Sequence, residues 1–251
     1  MSVGQLVVIS ALSAVLVTIG WRSVFFWLGV AHLVLVPLVV LAIPATGGSR
    51  GVQVAASPAG LGTRQAASTR QFWLLLGVYA LCGLDDFFVS THVVAFAQDR
   101  GLDAFLAGNL LALMGLTALA GVVASGAWSD RSGPVWPTAA SFVARLAIFA
   151  LILVDQSTVS VAIFALVFGA TFLVTAPLTA IFVVQSFGTR NLGALTGLII
   201  MVHHVFGGIG AYLGAAAFDR LGGYDPAFAV MMFSNALALA LTFGLRRTAS
   251  R

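Results

Sequence analysis

Eight mostly apolar runs, at about 3–20, 23–43, 72–97, 104–128, 135–154, 158–184, 191–216 and 226–245, follow one another along this 251-residue chain. Each approaches or exceeds the roughly 20 residues that an α-helix needs to cross a bilayer. Inside lipid every backbone N–H and C=O must be satisfied within the protein, which leaves helices or closed barrels, and runs of this length select helices. Composition agrees. The chain is 60% hydrophobic and 8% charged, against about 25% charged in soluble domains. The expected fold class is therefore an all-α membrane protein with about eight transmembrane helices.

The breaks between the runs carry turn and cap chemistry. Gly20-Trp21-Arg22 is a tight turn with an aromatic at the membrane interface, and Ser129–Pro134 is a short polar loop. Asp155–Thr158 offers helix caps, and Pro226 after Gly222–Asp225 suits a helix start. The first run has no charged leader and no cleavage signature, so it reads as a true span and not as a signal peptide. Trp21, Trp27, Trp73, Trp128 and Trp136 fall mostly near run ends, as interfacial anchors do. One connection is long: residues 45–70, rich in Gly, Ala and Ser with three arginines and no acid, read as a flexible solvated linker.

The charges orient the bundle. All twelve basic residues are Arg and all eight acids are Asp. Alternating the sides of eight spans places Arg50, Arg64, Arg70, Arg131, Arg190, Arg246, Arg247 and Arg251 with the termini, and Arg22, Arg100 and Arg220 opposite. The positive-inside bias then puts both termini in the cytoplasm and the protein in the cell (inner) membrane.

Several functions are excluded by residue type. With no Glu there is no His-Glu-x-x-His metal site and no Glu base. No Cys/His cluster has zinc spacing along the sequence, so no metal is assigned. The arginines are scattered singly, so nucleic acid is not an expected partner. The glycines at 207–210 lie in a membrane-length run, not after a strand, which removes a phosphate-loop reading. Cys82, the single cysteine, reads as an inert packing residue. No cofactor is implied, and an enzyme is not expected.

Four stretches resemble one family. "GAWSDRSG" (Gly126–Gly133) is similar to the Gly-x-x-x-Asp-Arg-x-Gly loop motif of the major facilitator superfamily, with Gly126, Asp130, Arg131 and Gly133 in the motif positions. Pro134-Val135-Trp136 follow where that motif usually continues with basic residues. "GWRSVFFWLG" (Gly20–Gly29) resembles that superfamily's turn between helices five and six. "HVVAFAQDRGLDAFLAG" (His92–Gly108) and "GAYLGAAAFDRLGGYDPAF" (Gly210–Phe228) resemble its connections between helices seven and eight, and eleven and twelve, closest to the monocarboxylate and oxalate/formate transporter-like branch. The resemblance implies a partial fold of that superfamily, truncated at its N-terminus. Residues 1–44 would be the last two helices of the N-terminal half, 45–70 the cytoplasmic linker, and 71–251 the six-helix C-terminal half.

Ionisable residues inside spans mark sites. Asp85 and Asp86 in "CGLDDFFVSTH" lie near the middle of the third run. His92, seven residues after Asp85, projects from nearly the same helical face, so the two could form a protonatable track. A structural reading has one Asp capping a broken helix or pairing with a cation. Arg145 is mid-span in the fifth run and should face protein as a helix-pairing charge. His203 and His204 are adjacent in the seventh run; neighbours on a helix differ by about 100°, so one at most points inward. The resemblance places these two on a cavity-lining helix. Asn109, Thr117, Gln185 and Asn191 are weaker candidates for interhelical hydrogen bonds, and Gly193-x-x-x-Gly197, Gly207-x-x-x-Ala211 and Gly210-x-x-x-Gly214 read as packing stripes.

The resemblance implies a secondary transporter for a small solute, plausibly an organic anion such as a monocarboxylate, working by alternating access as symporter or antiporter. Asp85, Asp86, His92, His203 and His204 are the substrate or proton-coupling candidates. The expected partners are the lipid bilayer, a small-molecule substrate, a proton, and the missing N-terminal helices or another membrane subunit. Alternatives are a non-transporting accessory membrane subunit and a membrane-embedded enzyme.

Overall fold

A computed structural model describes residues 2–42 and 59–249. The order is α1 (Ser2–Ala42), α2 (Thr63–Ala67), α3 (Arg70–Asp99), α4 (Ala104–Ser132), α5 (Val135–Val154), α6 (Thr158–Phe172), α7 (Thr175–Phe187), α8 (Leu192–Leu221) and α9 (Asp225–Ala249). The described residues contain no strand, only an isolated antiparallel pairing of Gly60 with Gly188. Seven stretches are long and apolar enough to cross a membrane: Thr18–Ala42, α3, α4, α5, Thr158–Phe187, α8 and Asp225–Leu245.

The first of the eight expected runs is the portion of α1 before Gly20, whose φ of 74° and ψ of 160° interrupt the helix. Leu12 and Leu28, equidistant from Gly20, line one cavity. A straight helix would separate them by about 24 Å, so the chain turns back on itself at Gly20. Glycine is needed there because a left-handed φ strains any residue with a Cβ.

Caps fix both ends of α4 and the start of α6. The Asp103 carboxylate accepts from the amides of Phe105 and Leu106 at the start of α4. At α6 the Asp155 carboxylate accepts from the Ser157 amide and hydroxyl and from the Ser160 hydroxyl, while Ser157 Oγ caps Ser160 N. These hydrogen bonds, that of Ser160 foremost, hold the exposed Asp155 carboxyl below its usual range. Gly133 (φ 79°) ends α4 and donates to the Ser129 carbonyl.

Two expectations are corrected. Residues 45–70 were expected to be flexible throughout. Residues 45–58 lie outside the described ones, but 59–69 are docked: Leu61 N–H donates to Phe187 O, Thr189 N–H to Ala59 O, and Asn191 Nδ2 to Leu61 O. Ala66 of α2 is fully buried. The second correction is that the run at 158–184 is not one helix: it breaks at Leu173–Val174 between α6 and α7.

α3 is the central helix, packed chiefly on α8 and α9. Its approach to α8 is set by glycine. A Cβ on Gly83 would overlap the His203 carbonyl, one on Gly210 the Leu84 carbonyl, and ones on Gly207 and Gly214 the rings of Phe87 and His92. The stripe at 207–214 therefore packs as its pattern predicts. Gly193 and Gly197 do not: a Cβ at either would meet nothing within 4 Å.

The buried apolar side chains form two clusters. One contains Phe88, Phe96, Phe149, Phe164, Phe168, Phe228 and Met231; the other contains Phe72, Leu75, Phe142, Leu178, Phe187, Ile199 and Ala238. On four spans the change from one cluster to the other falls at polar residues: Asp85 and Asp86, Arg145, Thr171, and Ser234 with Asn235. A polar layer therefore crosses the bundle between two apolar cores.

Candidate functional site

Arg145, on α5, is fully buried at the centre of this layer. Its Nη2 lies 2.7 Å from Asp86 Oδ1, and its Nη1 3.9 Å from Asp85 Oδ2. Nε donates to Thr171 Oγ1 and Nη2 to the Thr171 carbonyl, both at 3.1 Å. The guanidinium also sits 4.6 Å from the centre of the Phe168 ring, a cation–π contact strengthened by exclusion of water. The arginine thus meets its carboxyl partners on α3 and the end of α6, where the helix break leaves carbonyls to be satisfied from outside.

The two carboxyls have different neighbours. Asp85 Oδ1 accepts from Ser234 Oγ of α9 at 2.7 Å. Asp86 Oδ2 faces Cys82 Sγ at 3.4 Å and His203 Nε2 at 3.7 Å. His203 Nδ1 donates to the Tyr79 carbonyl at 3.2 Å, which fixes the ring and turns Nε2 towards Asp86. Tyr79 in turn donates its hydroxyl to the Thr175 carbonyl at 2.7 Å, at the first residue of α7.

Asp86, His203, His204, Tyr79 and Thr175 line a cavity of about 250 Å³ between α3, α7 and α8. The wall is mainly apolar, with these few polar groups among Phe87, Phe172, Leu173, Ala176 and Ile200, as small-molecule sites are built.

The structure brings Asp85, Asp86, Arg145 and His203 together. His204 shares the cavity but is exposed, and its Nδ1 donates within its own helix to the Ile200 carbonyl at 2.8 Å. His92 is not brought in. Its Nε2 donates to the Ala211 carbonyl at 2.8 Å, and its ring packs on Phe88 and Tyr224. The expected Asp85–His92 track is thus divided by α3–α8 packing. Asp130 and Arg131 are exposed at the end of α4, and neither joins an ion pair among the described residues.

Of the weaker candidates, Asn109 donates to the Phe105 carbonyl and Thr117 to the Met114 carbonyl, both within α4; Gln185 is exposed. Cys82 is not the inert packing residue expected. Its sulfur lies 3.6 Å from Arg145 Nη1 and 3.6 Å from Thr175 Oγ1 as well as beside Asp86. Tyr79, Thr171, Thr175 and Ser234 also belong to this network and lie outside the candidates the sequence offers. The available signal was their polarity in the middle of apolar runs, which buried hydroxyls share with groups that only bond their own helix.

Fold and site together define a multi-pass membrane protein with a polar, ionisable centre inside its helix bundle. The chain matches the Major Facilitator Superfamily over residues 1–211 and 75–251 and belongs to that family of membrane transporters. It is 26% identical over 223 residues to the MFS-type transporter YcxA of Bacillus subtilis (strain 168), covering 82% of this chain and 52% of that protein. It is 32% identical over 146 residues to monocarboxylate transporter 13 of Rattus norvegicus, covering 55% of this chain and 33% of that one. The chain spans about half the length, or less, of these curated relatives.

Proposed function

We propose that these helices belong to a secondary active transporter that moves a small organic anion, such as a monocarboxylate, by alternating access. In this reading residues 1–44 are the last two helices of the N-terminal half, 45–70 the cytoplasmic linker and 71–251 the six-helix C-terminal half. The membrane is the cell (inner) membrane, with both termini cytoplasmic on the arginine bias of the loops. The name of the rat relative supports the substrate class.

One observation carries the coupling. Two carboxyls, one guanidinium and one imidazole meet in the mid-bundle layer, and two of them, Asp86 and His203, open onto the cavity. The four groups sum to zero charge when they hold one proton beyond the guanidinium's own, on a carboxyl or on His203. Low dielectric favours that neutral count. A proton gained or lost there changes what Arg145 is paired with, and so ties protonation to the contact between α5 and α3. Arg145 is fully buried and does not line the cavity, so it acts there through Asp86, while Asp86 and His203 are the groups a solute in the cavity would meet.

The test is uptake of labelled monocarboxylates by proteoliposomes containing the transporter, with and without an inward proton gradient. Asp86→Asn is expected to abolish the gradient's effect, and Asp85→Asn to weaken it. Unchanged proton-driven uptake in both variants would overturn the coupling assignment.

A further inference from the structure

Cys82, Asp86 and His203 are far apart in sequence, yet their sulfur, carboxylate oxygen and ring nitrogen all lie within 4.8 Å of one another. We infer that they form a binding site for a thiophilic divalent cation of the zinc class, at the edge of the mid-bundle cavity.

The two spacings from Asp86 fit that chemistry, and the Cys82–His203 pair lies within 4.8 Å. Zinc takes thiolate at about 2.3 Å and imidazole or carboxylate at about 2.0 Å in a tetrahedron, so ligand atoms sit roughly 3.3–3.5 Å apart. Here Asp86 Oδ2 is 3.4 Å from Cys82 Sγ and 3.7 Å from His203 Nε2. One thiolate, one imidazole and one carboxylate select a borderline-soft cation over calcium or magnesium.

The surroundings fit as well. Zinc-ligating histidines donate their second ring N–H to a fixed acceptor, as His203 does to the Tyr79 carbonyl. Asp86 divides its oxygens, Oδ1 to Arg145 and Oδ2 to the trio, so a cation need not displace the guanidinium. Arg145 Nη1, 3.6 Å from the sulfur, stabilises the thiolate that forms when binding expels the thiol proton to water. The charges then close: Cys82, Asp85 and Asp86 carry three negative charges, Arg145 and the cation three positive. Asp86, His203 and Thr175 line the cavity, which gives a route of entry to the trio. The inference is independent of the transport reading, because it is tested by binding alone.

Cobalt(II) is the probe, titrated into the purified full chain in detergent. Cys82 is the chain's single cysteine, so any thiolate-to-cobalt charge-transfer band reports this site. The expected result is one equivalent bound, with that band and intense visible absorption of tetrahedral cobalt, both bleached by zinc. Cys82→Ala should remove the charge-transfer band, and His203→Gln should weaken affinity at least tenfold. His92→Gln, outside the cavity, should leave both unchanged. No thiolate band in the wild type at saturating cobalt overturns the inference, and that measurement needs no variant to fold. A band that keeps its affinity in His203→Gln overturns it equally.

Discussion

Arg145 reaches Asp86 at 2.7 Å across a gap between two helices, α5 and α3, that share no extensive packing of their own. α5 packs mainly on α6 and α9, and α3 mainly on α8 and α9. The ion pair is therefore a principal direct link between them, and both side chains are buried.

Removing the cation leaves two carboxyls facing each other in a buried layer. Arg145→Met should destabilise the protein by about 3–5 kcal/mol, the range for breaking a buried pair by deleting one partner. The measurement is thermal unfolding in detergent. Arg145→Met combined with Asp86→Asn should recover part of the loss, since the double change removes one of the two carboxyls left without their cation.

Ser234→Ala removes the hydroxyl that donates to Asp85 Oδ1. The expected loss is about 1–3 kcal/mol, the value for a hydrogen bond to an ionised group or a stranded buried acceptor. A melting temperature equal to wild type would show that another donor replaces Ser234.

Glycine substitutions should divide by position. Gly210→Ala places a methyl on the Leu84 carbonyl, with backbone on both sides and nothing flexible to yield. It should lower stability by about 1–3 kcal/mol or more, as overpacking does. Gly197→Ala meets open space and should be neutral or slightly stabilising, since alanine is the better helix former. Size-exclusion profiles after graded heating distinguish the two.

The cap at α6 should give an acid limb. Asp155 is held below the ordinary carboxylate value of 3.8 by its hydrogen bonds from Ser160 and Ser157. A depressed folded-state value contributes stability that is fully present above the unfolded value and lost as pH falls through the folded one. Melting temperatures recorded from pH 6 downward should therefore fall less steeply below about pH 4 for Asp155→Ala than for wild type.

Membrane class, span positions and the need for partners at Asp85, Asp86 and Arg145 were legible in the sequence, because charge in hydrocarbon is costly and apolar length is counted residue by residue. Their meeting was not. Asp86 and Arg145 are 59 positions apart, and their helices are not packing neighbours, so no periodicity relates them. Seven-residue spacing relates Asp85 to His92, but Asp85 turns to Ser234 of α9 and Arg145 of α5, whereas His92 is captured by the Ala211 carbonyl of α8. The docking of residues 59–61 was hidden because it runs through backbone groups, which every residue carries. The silence of Gly193 and Gly197 has the same origin: a small-residue pattern states that close approach is allowed, not that a neighbour is there.

The backbone contacts of Gly83 with His203 and of Gly210 with Leu84 have a mechanical consequence. Two helices interlocked by carbonyls on either side of the crossing can neither slide nor roll past one another without collision. Asp86 and His203 therefore ride on two interlocked backbones. Arg145 stands on a different beam, α5, which α9 also ties to α3. A shift of α5 against α3 puts tension on its guanidinium, a strut between the two.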